Sequence, residues 1–311
     1  FVNNGGGTFT ERAEELGIDF EGYSTQAAFF DYNNSGRLDL FILNQSFHSE
    51  RSYGQADLLR NEFDPKAGDR LLRNDGGTFT DVTEEAGIYN SSLGYGLGVA
   101  ISDIDLDGDP DIYVGNDFHE KDYLYLNNGD GTFTESAEEY GIDDSGYSIQ
   151  ATFFDYNGDD LLDLYLLNNA NEPITNFDIS EELREVRDSL GGDRLYKNTG
   201  SGFFDVSEEI GIYSPITAFG LSATVSDVDR NGFTDLFVAN DFFERDFLYK
   251  NTGNGVLTEI IDDSVIRSMS AASMGADIAD LNNDGWPDIY VLDMLPDDDS
   301  RTKSVTTFEG Y

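Results

Sequence analysis

Short apolar runs alternate with acidic turns along most of this chain. A small or β-branched segment such as VAISD or ATVSD leads into an aspartate-rich stretch. An alternating apolar segment follows, as in LDLFILN, PDIYVGN and TDLFVAN. A period of two over such short runs predicts β-strands. Next comes an aromatic segment typified by DYLYLNNGDGTFTE, whose Asn, Gly and Asp cluster predicts a hairpin turn between two further strands. Each unit thus predicts four strands, with the acidic loop between the first and the second.

The pattern repeats. Shifting the chain by 124 residues lays LLRNDGGTFTDVTEEAGI (71–88) over LYKNTGSGFFDVSEEIGI (195–212), with 10 of 18 positions identical, and EGYSTQAAFFDYN (21–33) over SGYSIQATFFDYN (145–157). Within each long unit lie two shorter ones, because the aspartates that open the acidic loops fall at 31, 103, 155, 227 and 280. A period of about 50 residues is the size of one four-stranded propeller blade. The expected fold class is therefore all-β: a single β-propeller-type repeat domain over 1–311. Its blades fall near 21–88, 95–142, 145–212 and 218–266, with partial blades at 1–15 and 271–311. The longer spacings carry inserts near 44–70 and 168–194. In the second, Asp178 with Glu181 three residues on reads as an N-cap, and Leu183, Val186 and Leu190 keep helical spacing. That predicts a helix over 179–190, outside the sheet.

Composition sharpens the picture. The chain carries 18 basic and 62 acidic residues, a formal charge of −44. Such acidity usually accompanies disorder, but 23 Phe and 17 Tyr supply ample apolar area for a core. A folded chain this acidic points to bound cations, and it excludes nucleic acid as a partner, since phosphate binding needs Lys and Arg. There is no cysteine, hence no disulfide or thiolate site. No run of about 18 apolar residues is present, so a membrane-spanning helix is not expected. The chain opens on Phe1 in mid-motif, as expected of a processed protein or a piece of a longer one.

The five acidic loops are DYNNSGRLD, DIDLDGDPD, DYNGDDLLD, DVDRNGFTD and DLNNDGWPD. Position 1 is Asp31, Asp103, Asp155, Asp227 or Asp280, and position 3 is Asn33, Asp105, Asn157, Asp229 or Asn282. Position 5 is Ser35, Asp107, Asp159, Asn231 or Asp284, and position 9 is Asp39, Asp111, Asp163, Asp235 or Asp288. Position 7, occupied by Arg37, Asp109, Leu161, Phe233 or Trp286, offers its carbonyl. Alternate oxygens on a tightly turning loop suit Ca²⁺, which takes six to eight such ligands, and about five ions per chain are expected. Mg²⁺ suits an all-protein cage less well. Position 6 is Gly in four loops; 155–163 departs, with Gly158 at position 4 and Asp160 at position 6. Position 12 is aliphatic throughout, so these are not EF-hands, which close with a bidentate Glu there. Positions 1, 3, 5 and 9 carry four carboxylates in 103–111 and two in 31–39, the expected tightest and weakest sites.

With those residues in view, the strings NNGDGTFTESAEEYGI, GLGVAISDIDLDGDPDIYVGNDF, DPKAGDRLLRNDGGTFTDVTEEAGI and MGADIADLNNDGWPDIYVLDMLPDDD carry a resemblance over essentially the whole chain. The chain resembles the FG-GAP/VCBS repeat family, and within it the bacterial relatives of cartilage acidic protein associated with ASPIC/UnbV-type domains. The resemblance implies an integrin-α-like propeller, commonly seven-bladed, with Ca²⁺ between the first two strands of a blade. About five blades are visible here. The two partial ends would complete one blade, continue into a longer protein, or pair with neighbours in a filament.

Nothing singles out a catalytic centre. His48 and His119 stand outside the repeat, and no G-x-S-x-G elbow occurs. The repeated NDFxE(K/R)D at 116–122 and 240–246 reads either as a polar ligand rim or as a structural turn whose Asn and Asp bond the backbone. The expected function is a non-enzymatic extracellular scaffold, calcium-stabilised, for adhesion to a protein or glycan at the cell surface. The alternatives are a self-assembling fibre subunit and a calcium-dependent polysaccharide-active enzyme.

Overall fold

The computed structural model describes residues 1–311 apart from 47–58, 61, 118–119, 171–185, 214, 242–243, 265–271 and 295–311. It is an all-β chain of consecutive antiparallel sheets, the blades of a β-propeller fold. Two compact units divide it, 1–138 and 139–311.

In the first unit, β1 (Val2–Gly5) and β2 (Thr8–Thr10) form a two-stranded sheet, followed by the single helical turn α1 (Ala13–Leu16). The first four-stranded sheet is β3 (Ser24–Phe30), β4 (Asp39–Asn44), β5 (Arg70–Asn74) and β6 (Phe79–Asp81). The second is β7 (Gly96–Ser102), β8 (Asp111–Asn116), β9 (Tyr123–Asn127) and β10 (Phe133–Glu135), leading into α2 (Ala137–Tyr140).

The second unit repeats that order. One sheet is β11 (Ser148–Phe154), β12 (Asp163–Asn168), β13 (Arg194–Asn198) and β14 (Phe203–Asp205), followed by α3 (Ser207–Ile210). The next is β15 (Gly220–Ser226), β16 (Asp235–Asn240), β17 (Phe247–Asn251) and β18 (Leu257–Glu259), with α4 (Ile261–Ser264). A last pair, β19 (Ser273–Ala279) and β20 (Asp288–Asp293), forms a two-stranded sheet. In the five sheets after β1–β2 an acidic loop joins the first two strands, and its ninth residue opens the second. The first strand bulges near its start at one register in all five: Ser24/Gln26, Gly96/Gly98, Ser148/Gln150, Gly220/Ser222 and Ser273/Gly275.

The duplication reaches the core. In the first unit Tyr32, Phe41, Leu43 and Leu71 pack with Ile112, Val114, Tyr125 and Phe133 of the next sheet. Moved by 124 residues, these become Tyr156, Tyr165, Leu167, Leu195, Leu236, Val238, Tyr249 and Leu257, which pack together in the second unit. Within each unit, apolar alternation on the second and third strands thus buries one face of the first four-stranded sheet against the next. Close approach is built in: a Cβ on Gly96 would lie 2.3 Å from Leu43 Cδ1, and one on Gly220 would lie 2.3 Å from Leu167 Cδ1. Gln26 Oε1 also accepts from Val99 N at 2.8 Å, and Gln150 Oε1 from Ala223 N at 3.0 Å.

The helix expected over 179–190 falls partly outside the described residues, at 179–185. Over 186–190 it is not a helix. Arg187 makes a β-bridge to Pro215, and Asp188 Oδ1 accepts from the backbone N–H of Leu190 and Gly191 at 2.8 and 3.0 Å. An Asp side chain that captures the N–H two and three residues on offers the backbone a turn in place of a helix. The described helices are instead single turns after a sheet's last strand, as in α3, whose chain turns away at Gly211 with φ +91°.

Candidate metal centres

Each acidic loop is laced by its own first aspartate. Position 1 accepts the N–H of position 6 in all five: Gly36 to Asp31 (2.6 Å), Gly108 to Asp103 (3.0 Å), Asp160 to Asp155 (2.9 Å), Gly232 to Asp227 (2.8 Å) and Gly285 to Asp280 (2.8 Å). In four loops the position 5 side chain accepts the N–H of position 7, as Asp107 does from Asp109 and Asp284 from Trp286, both at 2.9 Å. These bonds draw the oxygens inward.

The turn needs two left-handed residues. Position 6 has φ +79°, +97°, +66°, +91° and +88° at Gly36, Gly108, Asp160, Gly232 and Gly285. Position 4 is left-handed as well, with φ +54°, +61°, +77°, +59° and +61° at Asn34, Leu106, Gly158, Arg230 and Asn283. Loop 155–163 therefore keeps the backbone of the others and moves its glycine from one left-handed position to the other. The position 4 requirement was invisible in the sequence, because no single residue type marks it.

Position 9 anchors each site to the sheet. Asp39, Asp111, Asp163 and Asp235 are almost wholly buried. Their Oδ1 atoms accept from the backbone N–H of Asn74, Asn127, Asn198 and Asn251, at 2.7, 2.8, 2.8 and 2.7 Å. Asp111, Asp163 and Asp235 use Oδ2 to accept from position 2, at Ile104, Tyr156 and Val228. Burial pushes the Asp111 and Asp163 carboxyls up to about 7, against partial relief from those N–H donors, and it raises Asp39 and Asp235. A buried carboxylate held away from water favours its neutral form unless a cation stands beside it. The four asparagines are the functional residues that the sequence reading missed. Their signal was a repeated Asn closing the third strand, absorbed into the hairpin-turn reading.

Two loops gather carboxylates closely enough to hold a metal ion. Oxygens of Asp103, Asp105 and Asp111 lie within 4.8 Å of one another, as do those of Asp227, Asp229 and Asp235, 124 residues further on. No other carboxylate triad among the described residues converges so closely. In 155–163 and 280–288 the third position is Asn157 or Asn282, and 31–39 has only two carboxylates at its ligand positions. Lys197 Nζ lies 3.7 Å from Asp159 Oδ2, and Lys250 pairs likewise with Asp229. A second observation fits a cation. Asp103 Oδ1 and Asp39 Oδ2 are shielded from solvent and accept no hydrogen bond, a costly state for an ionised acceptor.

The repeated NDFxE(K/R)D closes the opposite end of the second strand. Asn116 N donates to Asp122 Oδ1 at 2.6 Å, and Asn116 Nδ2 donates to Lys121 O; Asn240, Asp246 and Arg245 O repeat both bonds. The other two four-stranded sheets carry the same bracket as Asn44 with Asp69 and Asn168 with Asp193. The Asn and Asp of the motif thus bond the backbone. Burial pushes Asp69 up to about 8 and Asp193 up to about 7. Asp193 gains a donor in Tyr165 Oη at 2.7 Å, whereas residue 41, its counterpart beside Asp69, is Phe.

These features define a class: a duplicated all-β repeat protein whose interstrand acidic loops can hold metal ions. The FG-GAP-like repeat family matches at residues 103–166 and 227–291, the stretches that open with the two converging triads. Those two stretches are FG-GAP-like repeats. The chain is 31% identical over 144 residues to Cartilage acidic protein 1 of Mus musculus, a match that takes in 46% of this chain and about a fifth (21%) of the relative. Among solved structures it is similar to an Agrocybe aegerita lectin described in specific recognition of non-reducing terminal N-acetylglucosamine. That likeness has a TM-score of 0.50 and 18% identity, over 93% of this chain and 67% of the lectin chain. The V. cholerae biofilm matrix protein Bap1 aligns at TM-score 0.44 and 14% identity, over 89% of this chain and 36% of its own.

Proposed function

We propose that this chain is a calcium-stabilised extracellular scaffold whose blades present a binding surface for a protein or glycan, with no catalytic role. The observation that carries the metal reading is the convergence of Asp103, Asp105 and Asp111, repeated by Asp227, Asp229 and Asp235. Oxygen-only ligands on short loops favour Ca²⁺. The remaining loops bind more weakly for want of converging carboxylates, and millimolar extracellular calcium keeps weak sites filled where the cytosol would not. About five ions would offset ten of the fifteen side-chain charges at positions 1, 3, 5 and 9. A saccharide ligand is the reading to which the fold likeness to a lectin lends support. Among the described residues no helix is long and apolar enough to cross a membrane.

A thermal melt in millimolar Ca²⁺ against chelator, with bound metal quantified, tests this. Near five ions per chain and a large fall in Tm on chelation are expected. No bound calcium and no change in Tm would remove the metal reading.

A further inference from the structure

We propose that the loops at 31–39 and 103–111 fill cooperatively, with Asn127 as the positioning residue they share; this rests on the calcium reading and deepens it. Asn127 is 3% exposed, and its polar atoms are all engaged. Its backbone N–H holds Asp111, the ninth residue of loop 103–111, at 2.8 Å. Its Nδ2 donates to Pro110 O of the same loop at 3.2 Å and to Tyr32 O at 2.8 Å. Tyr32 stands between Asp31 and Asn33, the first two ligand positions of the neighbouring loop. Its Oδ1 accepts from Gly129 N, which closes the hairpin beneath. One side chain therefore grips a ligand-bearing peptide in each of two loops.

A second tie runs along the rim. Position 4 of one loop reaches position 7 of the next: Asn34 Nδ2 donates to Asp109 Oδ1 at 2.5 Å. The second unit keeps the Asn tie: Asn251 holds Asp235 and reaches Tyr156 O at 2.7 Å, while Gly158 at position 4 has no side chain to reach across the rim. Further on, the Arg230 guanidinium lies 5.3 Å from the centre of the Trp286 ring, again position 4 against position 7. The Asn tie thus recurs in both units, and position 4 meets position 7 in two pairs of neighbouring loops through different residue types.

The physical consequence is a shared ordering cost. A cation in loop 103–111 fixes Asp111, hence Asn127, hence the Tyr32 carbonyl. Loop 31–39, with two carboxylates, then binds a cation with part of its ordering already done. Linkage makes the effect reciprocal.

The test is a Ca²⁺ titration of the full chain followed by amide NMR at Gly36 and Gly108, whose N–H groups sit on Asp31 and Asp103. Asp103→Ala should weaken Ca²⁺ binding read at Gly36 on the order of 5- to 10-fold, and Asp31→Ala should weaken binding read at Gly108 by the same factor. Asn127→Ala should abolish most of that dependence. Asn34→Gly lies on the exposed rim and keeps the left-handed backbone, so it folds even where Asn127→Ala does not, and it should reduce the dependence. Unchanged affinity at Gly36 in Asp103→Ala overturns the coupling and leaves the calcium reading standing. A wild-type titration in which neither glycine responds overturns both.

Discussion

The backbone N–H of Asn127 donates to Oδ1 of Asp111 at 2.8 Å, and 124 residues on Asn251 repeats the bond to Asp235 at 2.7 Å. Asp111 faces two ways, toward the acidic loop and toward the end of the third strand. Asp111→Ala should therefore cost more than a lost metal ligand, because it strands the buried N–H of Asn127. The expected loss from that donor is roughly 1–3 kcal/mol. Urea unfolding in millimolar Ca²⁺ would read it, with Asp109→Ala shifting the midpoint far less. Equal midpoints for the two variants would contradict the anchoring role.

Position 4 makes opposite predictions for glycine in two of the loops. Leu106, half-exposed at φ +61°, carries the strain of a side chain in that region. Leu106→Gly should stabilise the protein by up to about 1 kcal/mol, the strain relieved exceeding the entropy lost. Gly158→Ala, at φ +77°, should destabilise it by about 1 kcal/mol. A neutral Gly158→Ala would mean that loop 155–163 does not hold this turn in solution.

Gly96→Ala tests the sheet spacing. Its Cβ would meet Leu43 Cδ1 at 2.3 Å, in a core that cannot yield without moving a buried side chain. A loss of about 1–3 kcal/mol is expected. The double variant Gly96→Ala with Leu43→Ala should lose less than the sum of the two single changes.

Asp69 gives a pH dependence separate from the metal loops. Its carboxyl, pushed by burial up to about 8 in the folded state, is near 3.9 when unfolded. The folded protein holds the extra proton between those values, so this contribution is complete below about pH 4 and is lost as pH rises through about 8. In saturating Ca²⁺, thermal melts should show Asp69→Asn losing less stability than the parent between pH 5 and 9, by roughly 2–4 kcal/mol. Phe41→Tyr, which places a hydroxyl where Tyr165 serves Asp193, should shrink the loss too. Parallel curves for parent and variants would place the titration elsewhere.

Much of this architecture is written in local pattern. The 124-residue duplication, the four strands per unit, the acidic loop between the first two and its glycine turn follow from alternation and turn chemistry that any segment carries by itself. The cores confirm the duplication residue for residue, from Tyr32 and Tyr156 to Phe133 and Leu257. The helix expected over 179–190 was misread over its last five residues, where the pull of Asp188 on the following N–H groups and the bridge from Arg187 outweigh apolar spacing.

What the sequence alone determined is the repeat and the oxygen-rich composition of each loop, because strand alternation and turn preference are properties of neighbours in the chain. The tertiary structure decided which oxygens meet. Asn127 joins Tyr32 to Asp111 across two sheets only once residues 95 positions apart in the chain have been brought together. The burial of Asp111 and the cost of an unpaired Asp103 oxygen depend on how the loop packs on its surroundings, and no local pattern encodes that.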